Sequence, residues 1–486
     1  MLDVVIIGAG AVGCAIAREL SFYQLSVLVL EKEADVAAGT SGRNSAVVHA
    51  GFNNKPGSLM ARLCVEGSQG MEALCRQLDV PYRKTGKVLA AFDAADEETL
   101  REILAQGEAN GCRGMRLIDA EELGRLAPGV GGISGLLSPE TAIFDPFLYT
   151  VALAENALEN GVSFRLNEEV LGIERKTDEN GEAFFTVRTD KDSCDTRFVI
   201  NAAGLYADRI AAMAGVADYT IHPCRGQYYI LDEIAEKVLP LPVYPAPKKG
   251  IGGLGVHLTP TIHGNIIIGP NADYIEEKDG VETTAPALDQ LWREAVQLLP
   301  ALSRRQIVGQ YAGIRPKLAP KGVGGYYDFV IKEEEACPGL INLIGIESPG
   351  LTASVPIARY TADILRGKMQ LQPKVQPVRE HRFPLRFKEQ PEDVQARLIK
   401  EDPEYGDIVC RCRRITRREI RDALNNPLGV KTLAGVKYRV FATTGRCQGG
   451  YCLTRIADML VREFGLQPEQ VTLRGEGSEL FSGEVK

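Results

Sequence analysis

The chain of 486 residues is long enough for two to three structural units, each with its own hydrophobic core. Its composition is that of an ordinary globular protein, and a net charge of −8 gives no overall attraction to nucleic acid or to an anionic membrane. No stretch approaches the ~18 apolar residues of a transmembrane helix. Eleven cysteines without a recognisable secretory signal indicate reduced thiols and a cytoplasmic protein.

The N-terminus predicts a dinucleotide-binding unit. Residues 4–7 (VVII) are wholly apolar, as in a buried parallel strand, and Gly8-Ala9-Gly10-Ala11-Val12-Gly13 follows them. In this motif Gly8 permits the tight turn, Gly10 lets the backbone approach a pyrophosphate, and Gly13 lets helix and strand pack closely. A second apolar strand ends at Glu31, which is placed to accept hydrogen bonds from a ribose. The motif alone does not separate NAD from FAD.

Two stretches predict a second structural unit. Residues 81–138 have helical patterns around a short strand, KVLAAF. Residues 221–312 alternate apolar and polar side chains, as in GQYYILD and GNIIIGP, which favours an antiparallel sheet covered on one face. A glycine-rich stretch at 250–255 follows no apolar strand and predicts a turn. Residues 371–405 are rich in proline, glutamine and charge, which predicts a linker or wrapping arm.

Four further segments resemble the D-amino-acid-oxidase superfamily. GTSGRNSAVVHAGF (39–52) resembles its second flavin-contacting loop, and FVINAAGLYAD (198–208) its strand leading into small residues beside the flavin nucleotide. YAGIRPK (311–317) resembles its arginine loop, and GIESPGLTASVPIARY (345–360) its last strand-to-helix turn. The segments occur in the order that the family has.

The resemblance implies an α/β fold, in which a Rossmann-like FAD-binding domain carries an inserted antiparallel-sheet substrate domain. The FAD-binding domain would comprise residues 1–80, 139–220 and 313–370, and the substrate domain 81–138 and 221–312. The implied FAD contacts beyond the glycine motif and Glu31 are Thr40, Ser41, Arg43, Asn44, Ser45, Ala203, Gly204, Gly350, Leu351 and Thr352.

The resemblance also narrows the substrate. NS-x-x-x-HAG, GVHLT and IESPGLTAS together look most like the L-2-hydroxyglutarate oxidase/dehydrogenase branch. Anaerobic glycerol-3-phosphate dehydrogenases share the N-terminal pattern and often a cysteine-rich tail, but they usually close with a GGK-x-T-like turn where this chain has ESPGLTAS. Both substrates are small anionic secondary alcohols, so a dehydrogenase that moves a hydride to flavin N5 is expected in either case.

Such chemistry needs an anion anchor and a base. Arg315 is the expected anchor, because a guanidinium binds carboxylate or phosphate in bidentate fashion, with a structural ion pair as the alternative. Histidine titrates in the useful range, so His257 in GVHLT and His49 in the flavin loop are the candidate bases. His49 is alternatively a residue that orients or covalently tethers the flavin. Lys317 and Lys248 are either secondary anion contacts or solvated lysines.

The C-terminus, residues 406–486, predicts a metal site. Cys410 and Cys412 form a C-x-C pair, and Cys447 and Cys452 form a C-x-x-x-x-C pair after 34 intervening residues. Thr416 and Glu419 have the spacing of a capping box that would start a helix. GRCQGGYC resembles the bacterioferritin-associated-ferredoxin-like [2Fe–2S] domain, although the second pair is commonly C-x-x-C. Four-thiolate zinc, a disulfide or free thiols are the alternatives.

Together these features predict an FAD-dependent dehydrogenase whose electrons leave through its own cluster. The separate acceptor would be a partner flavoprotein, an NAD-linked module or a membrane quinone path. The last of these would place the protein peripherally at the inner face of the membrane. An arginine-rich run around the first cysteine pair (411–421) is either a docking patch for an acidic partner or a solvated helix face. The competing hypotheses are an oxygen-using oxidase or an amine or imino-acid oxidase, with the tail as a zinc-stabilised docking module.

Overall fold

The computed structural model describes residues 1–234, 238–248, 255–323 and 325–483. The turn expected at 250–255 lies outside the described residues, except for Gly255. In chain order the strands are β1 Leu2–Ile7, β2 Val27–Leu30, β3 Val47–Val48, β4 Tyr82–Lys84, β5 Lys87–Ala91, β6 Arg116–Asp119, β7 Ser134–Ser138, β8 Ala142–Phe144, β9 Ser163–Arg165, β10 Val170–Thr177, β11 Ala183–Thr189, β12 Ser193–Asn201, β13 His222–Glu233, β14 Val243–Pro245, β15 Leu258–Pro260, β16 Asn265–Ile268, β17 Asp273–Tyr274, β18 Ile307–Lys317, β19 Val330–Glu334, β20 Cys337–Ile344, β21 Ile408–Cys410 and β22 Ile415–Thr416.

The α-helices are α1 Ala11–Leu20, α2 Leu59–Gln77, α3 Ala94–Ala109, α4 Ala120–Leu126, α5 Pro146–Glu159, α6 Ala207–Met213, α7 Ala285–Leu298, α8 Gly350–Arg366, α9 Glu392–Glu401, α10 Arg417–Leu424, α11 Leu433–Val440 and α12 Leu453–Arg462. None of the helices in the described ranges is long and apolar enough to cross a membrane.

The first sheet has a parallel centre, in the order β20-β12-β1-β2-β9. The antiparallel strands β19, β10 and β11 extend it. Val4 and Ile6 belong to the core that α1, α2, α5 and α8 cover, whereas Val5 and Ile7 belong to the core on the opposite face. Both faces of β1 are therefore buried, which explains its unbroken apolar run. The α/β prediction is confirmed.

The second sheet has the order β6-β7-β5-β14-β15-β16-β13-β18, with β17 beside β13. Apart from the parallel pair β14 and β5, its strands are antiparallel, as expected. Helices α4 and α7 cover one face. Strand β18 pairs with β13 from Lys317 opposite His222 to Ile307 opposite Leu231. Residues 313–317, assigned from the sequence to the FAD-binding domain, thus continue a strand of this second sheet.

The segment 371–405 runs over the surface of the first unit. Gln372 O accepts from Gln24 N at 2.8 Å, and Val378 N donates to Asn160 Oδ1 at 2.8 Å. Further along, His381 Nε2 lies 3.3 Å from Glu155 Oε2. These contacts fasten the segment along much of its length, as a wrapping arm would be.

The C-terminal unit is small and mostly helical. Strands β21 and β22 pair, and α10, α11 and α12 pack around a common core that includes Ile420, Leu433 and Ile456. The predicted capping box is confirmed, since Thr416 and Glu419 bond each other's backbone N–H at the start of α10.

Candidate functional site

A cavity of about 1270 Å³ extends from the carboxyl ends of β1 and β2 to the second sheet. Its walls include all three candidate catalytic residues, His49, His257 and Arg315. The predicted FAD contacts also line it, with the exception of Gly13. Predicted contacts as distant in sequence as Gly8 and Thr352 therefore line one cavity.

The glycine motif forms the turn at one end of this chamber. Gly8 has φ +102°, in the left-handed region that favours glycine. A Cβ on Gly13 would lie 1.9 Å from Gly8 O, so Gly13 serves helix–strand packing and not the cavity wall. Glu31 Oε2 accepts from Ala9 N at 2.7 Å, which places its carboxylate beside the turn. This turn fits the pyrophosphate and ribose of FAD, because Gly8, Gly10 and Glu31 all line the cavity.

The flavin loop is fastened to β18. Thr40 Oγ1 donates to Ile314 O at 2.8 Å, and Tyr311 OH donates to Asn44 O at 2.8 Å. Within the loop, Asn44 Nδ2 donates to Ser41 O at 2.6 Å. The strand that carries Arg315 is thus bonded directly to the loop expected to touch FAD.

The other end of the cavity brings together the three candidate catalytic residues. Half-buried Arg315 donates from Nη2 to Asn271 O at 2.5 Å. The ring of His257 stacks on Tyr244 with centroids 3.4 Å apart, and His49 N donates to Thr352 Oγ1 at 3.0 Å. Burial, reinforced by the charge of a nearby lysine, lowers the pKa of His49 to about 3, so its imidazole is neutral at physiological pH.

Sequence reasoning missed an acid in this region. Glu347 Oε2 lies 3.0 Å from Lys317 Nζ, and both residues are almost fully buried. Burial raises the pKa of Glu347 to about 7, against the lowering effect of Lys317 and Arg315. Glu347 stands in the quoted segment GIESPG, but its pairing with a residue 30 positions earlier has no local signal.

The two lysines considered either as anion contacts or as solvated lysines differ from each other. Lys317 is paired with Glu347, so its charge is compensated. Lys248 is exposed and does not line the cavity. Neither acts as a free cation at the buried end of the cavity.

The four cysteines come together as two pairs. Cys412 Sγ lies 3.5 Å from Cys447 Sγ, and Cys410 interacts with Cys452. No set of three or more Cys, His, Asp or Glu side chains in the described chain is arranged around a single metal ion. A [2Fe–2S] cluster has two irons and four cysteine ligands, so two thiol pairs suit it better than one tetrahedral zinc. The residues present fit the cluster.

The arginine-rich run is largely engaged within the protein. Arg413 donates to Glu233 Oε1 at 2.6 Å and to Asn265 Oδ1 at 2.6 Å, both on the second sheet. Arg417, Arg418 and Arg421 pair with acidic residues of the C-terminal unit and the arm that precedes it. The run therefore serves mainly to dock and hold this unit, rather than to present free charge.

A glycine turn, a cavity lined by the flavin loop and a paired-thiol site are the features of one class of protein: oxidoreductases that combine a flavin with an iron–sulfur centre. The chain belongs to the FAD dependent oxidoreductase family, which matches residues 3–364. Residues 408–462 match the BFD-like [2Fe-2S] binding domain. The predictions of FAD and of a [2Fe–2S] site are confirmed by these matches.

Individual relatives support the same assignment. The glycerol 3-phosphate dehydrogenase of Caloramator mitchellensis is 39% identical over 100% of this chain and 99% of its own length. The mitochondrial L-2-hydroxyglutarate dehydrogenase of Arabidopsis thaliana is 32% identical over 74% of this chain and 83% of its own.

Among solved structures, the dithionite-reduced L-alpha-glycerophosphate oxidase of Mycoplasma pneumoniae with FAD bound has a TM-score of 0.73 at 30% identity. It covers 79% of this chain and 99% of its own. The protein is thus an FAD-dependent dehydrogenase of the glycerol-3-phosphate/2-hydroxyglutarate type with a [2Fe–2S]-binding domain.

Proposed function

We propose that the protein oxidises glycerol 3-phosphate at its secondary hydroxyl and passes the electrons through its [2Fe–2S] cluster to a separate acceptor. The observation that carries the choice of substrate is the charge balance at the buried end of the cavity. Lys317 is compensated by Glu347, whereas Arg315, which lines the cavity, forms no ion pair with a carboxylate in the described chain. One such anchor suits a substrate with one anionic group.

The full-length glycerol 3-phosphate dehydrogenase relative supports this choice, because its similarity extends through the cysteine domain. L-2-hydroxyglutarate is the second candidate, favoured by the second relative and by the ESPGLTAS turn. Its two carboxylates would require a further cation, and exposed Lys321 on the cavity wall is a candidate.

Each of these residues would have its own role in the reaction. Arg315 binds the phosphate through its planar guanidinium and so fixes the carbinol carbon. A histidine takes the hydroxyl proton; His257, oriented by its stack on Tyr244, is the first candidate and His49 the second. When bound, FAD supplies the hydride acceptor. The N-terminus of α8, at Gly350, faces the cavity and favours the negative charge that reduction creates.

The electron exit is supported by the position of α11. Its Tyr438 lines the cavity, and five residues later the backbone amide of Thr443 bonds Cys410. Five residues span at most about 18 Å. The FAD cavity and the cluster ligands are therefore close together through one short segment. The identity of the acceptor and the cytoplasmic location stay predictions.

Stopped-flow reduction of the flavin by a panel of substrates tests the first half of the proposal. Glycerol 3-phosphate should bleach the flavin faster than L-2-hydroxyglutarate, lactate, proline or sarcosine. Arg315→Met should raise KM at least about tenfold, because a charge-assisted pair is lost. Lys248→Met, at an exposed lysine, is the control and should leave KM unchanged. Faster bleaching by any other substrate would overturn the assignment.

The base is tested by His257→Asn and His49→Asn in the same assay. Loss of the proton acceptor should slow flavin reduction by about 10²–10⁴ with little change in substrate affinity. A variant that loses FAD instead would mark its histidine as a flavin contact.

Cys412→Ser tests the electron exit. The variant should lose acid-labile sulfide and turnover with one-electron acceptors, yet its flavin should still be reduced by substrate. Cys194→Ser, at a half-buried cysteine of β12, is the control. Full turnover of Cys412→Ser with dioxygen would support the oxidase alternative instead.

A further inference from the structure

The C-terminal unit forms part of the wall of the FAD cavity. Thr432, Ala434, Tyr438 and Arg474 line the same chamber as Gly8 and Arg43. Tyr438 stacks on Phe147 with ring centroids 4.6 Å apart and planes 11° from parallel, which fixes α11 against the first unit. The iron–sulfur domain is thus in contact with the cofactor site of the flavin domain.

Two cations, Arg43 and Arg474, line this wall, and a third, Lys437, lies near them. Arg43 comes from the flavin loop, Lys437 from α11 and Arg474 from the segment after α12. Arg43 Nη1 donates to Ala312 O at 3.2 Å, and Lys437 Nζ lies 5.8 Å from the centre of the Phe147 ring. In the part of the chain that the structure describes, none of the three forms an ion pair with a carboxylate.

The three cations also act on one another electrostatically. Burial lowers the pKa of Lys437 to about 8, and the charges of Arg474 and Arg43 add to the effect. Glu33 offsets part of the charge of Arg43, but the like charges of Arg474 and Lys437 beside it still favour the binding of an anion. The arrangement is that of an anion site.

The position of the site indicates which anion. Ser41 Oγ accepts from Ala11 N at 2.9 Å, at the N-terminus of α1, and Arg43 is two residues further along the same loop. This helix start is where the glycine motif places a pyrophosphate. The pyrophosphate is also the anionic group of FAD.

We infer that Lys437 and Arg474 of the iron–sulfur domain join Arg43 in binding the FAD pyrophosphate, so that the FAD site is completed across the domain interface. FAD then fastens the two domains together. By linkage, FAD binding and domain docking stabilise each other to the same extent. The inference concerns cofactor binding and is independent of the substrate.

FAD affinity tests the inference directly. Apoprotein carrying Lys437→Gln, Arg474→Gln or both is titrated with FAD and followed by flavin fluorescence, while iron and sulfide content checks that the domain is folded. Each single change should weaken FAD binding roughly tenfold, as for loss of a charge-assisted hydrogen bond, and the double change more. Arg474→Lys should retain most of the affinity. Arg462→Gln, at an exposed arginine of α12, is the matched control and should bind FAD as the parent does.

Smaller probes separate the pyrophosphate from the rest of FAD. ADP carries a diphosphate and adenosine carries none, so Arg474→Gln should weaken competition by ADP against FAD and leave competition by adenosine unchanged. Unchanged FAD and ADP affinity in the double variant, with its cluster intact, would overturn the inference. Equal weakening of ADP and adenosine would also overturn it, because the two residues would then support the pocket's shape and not its charge.

Discussion

Arg439 of α11 and Asp35 of the loop after β2 form a buried ion pair, with Nη1 and Oδ2 2.7 Å apart and side chains 4% and 3% exposed. Arg439 Nε also lies 3.5 Å from Glu155 Oε1. The pair joins the iron–sulfur domain to the loop that follows Glu31, the acid expected to bind the ribose. Removing one member of such a pair typically lowers the free energy of unfolding by about 3–5 kcal/mol, because the charge of the other member stays buried without a partner.

Arg439→Met should therefore lower the free energy of unfolding by about 3–5 kcal/mol. Asp35→Asn should cost less, since Glu155 remains beside the arginine. Chemical denaturation of the holoprotein measures both. The matched control is Arg446→Met, because Arg446 also pairs across the interface, with Asp232, but is 80% exposed. Its loss should lower the free energy of unfolding by only about 0–1 kcal/mol. Equal effects at the two arginines would contradict the docking role of the buried pair.

Lys87 makes stability depend on pH. Its side chain is 0% exposed, and its Nζ lies 4.5 Å and 4.3 Å from the ring centres of Phe52 and Tyr244 with no hydrogen-bond partner among the described residues. Burial lowers its pKa from 10.5 to about 7. The unfolded chain therefore binds the lysine proton more tightly than the folded chain does. The free energy of unfolding should rise as the pH increases from about 7 to 10.5, and below pH 7 the folded protein bears the whole cost of burying the charged ammonium group.

Lys87→Met should remove this penalty. At pH 7 the variant should gain at least about 1.4 kcal/mol, the value of one pKa unit, and its melting temperature should vary less between pH 7 and 10. Lys55→Met, at an exposed lysine, is the control and should keep the parent's pH dependence. A melting temperature of Lys87→Met that follows the parent curve at every pH would show that this lysine is not the titrating group.

Glu347 should make substrate affinity depend on pH. With a pKa of about 7, it is protonated below that value and leaves the charges of Lys317 and Arg315 uncompensated. Above it the carboxylate offsets one positive charge, so KM for an anionic substrate should rise with pH. Glu347→Gln should lower KM at pH 8 by about fivefold or more and flatten the profile. The phosphate of the substrate also titrates, with a pKa of about 6, but it does so equally for the parent and for Glu347→Gln. Its effect on KM therefore cancels when the two proteins are compared. A profile of unchanged slope in Glu347→Gln would reject this role.

The sequence predicts those features whose residues are close together along the chain. The glycine turn needs Gly8, Gly10 and Gly13 within one βα junction, and the capping box needs Thr416 and Glu419 on one helical turn, so each leaves a local pattern. The motifs C-x-C and C-x-x-x-x-C also leave a local pattern, but it does not show which thiols lie side by side: Cys412 lies beside Cys447, and Cys410 beside Cys452.

Features made by tertiary packing left no such pattern. The pairing of Lys317 with Glu347, the burial of Lys87 beneath Tyr244 and the approach of Arg474 to Arg43 each depend on how separate elements pack. The composition of residues 371–405 predicts a linker or wrapping arm. It does not predict where that arm places the iron–sulfur domain that follows it. That placement decides whether the tail is only an electron exit or also a wall of the FAD cavity.

Two glycines three residues apart in α2 offer a test of how the flavin site is packed. A Cβ on Gly67 would lie 2.1 Å from Thr352 O, in the turn expected to contact FAD, whereas a Cβ on Gly70 would meet nothing within 4 Å. Gly67→Ala must displace that turn, so FAD binding should weaken and the protein should lose about 1–3 kcal/mol of stability. Gly70→Ala should instead gain up to about 1 kcal/mol, because alanine favours a helix interior. Calorimetry and FAD titration of both variants measure the contrast. If the two variants changed stability and FAD affinity in the same way, helix propensity, and not the close approach of α2 to Thr352, would determine the effect.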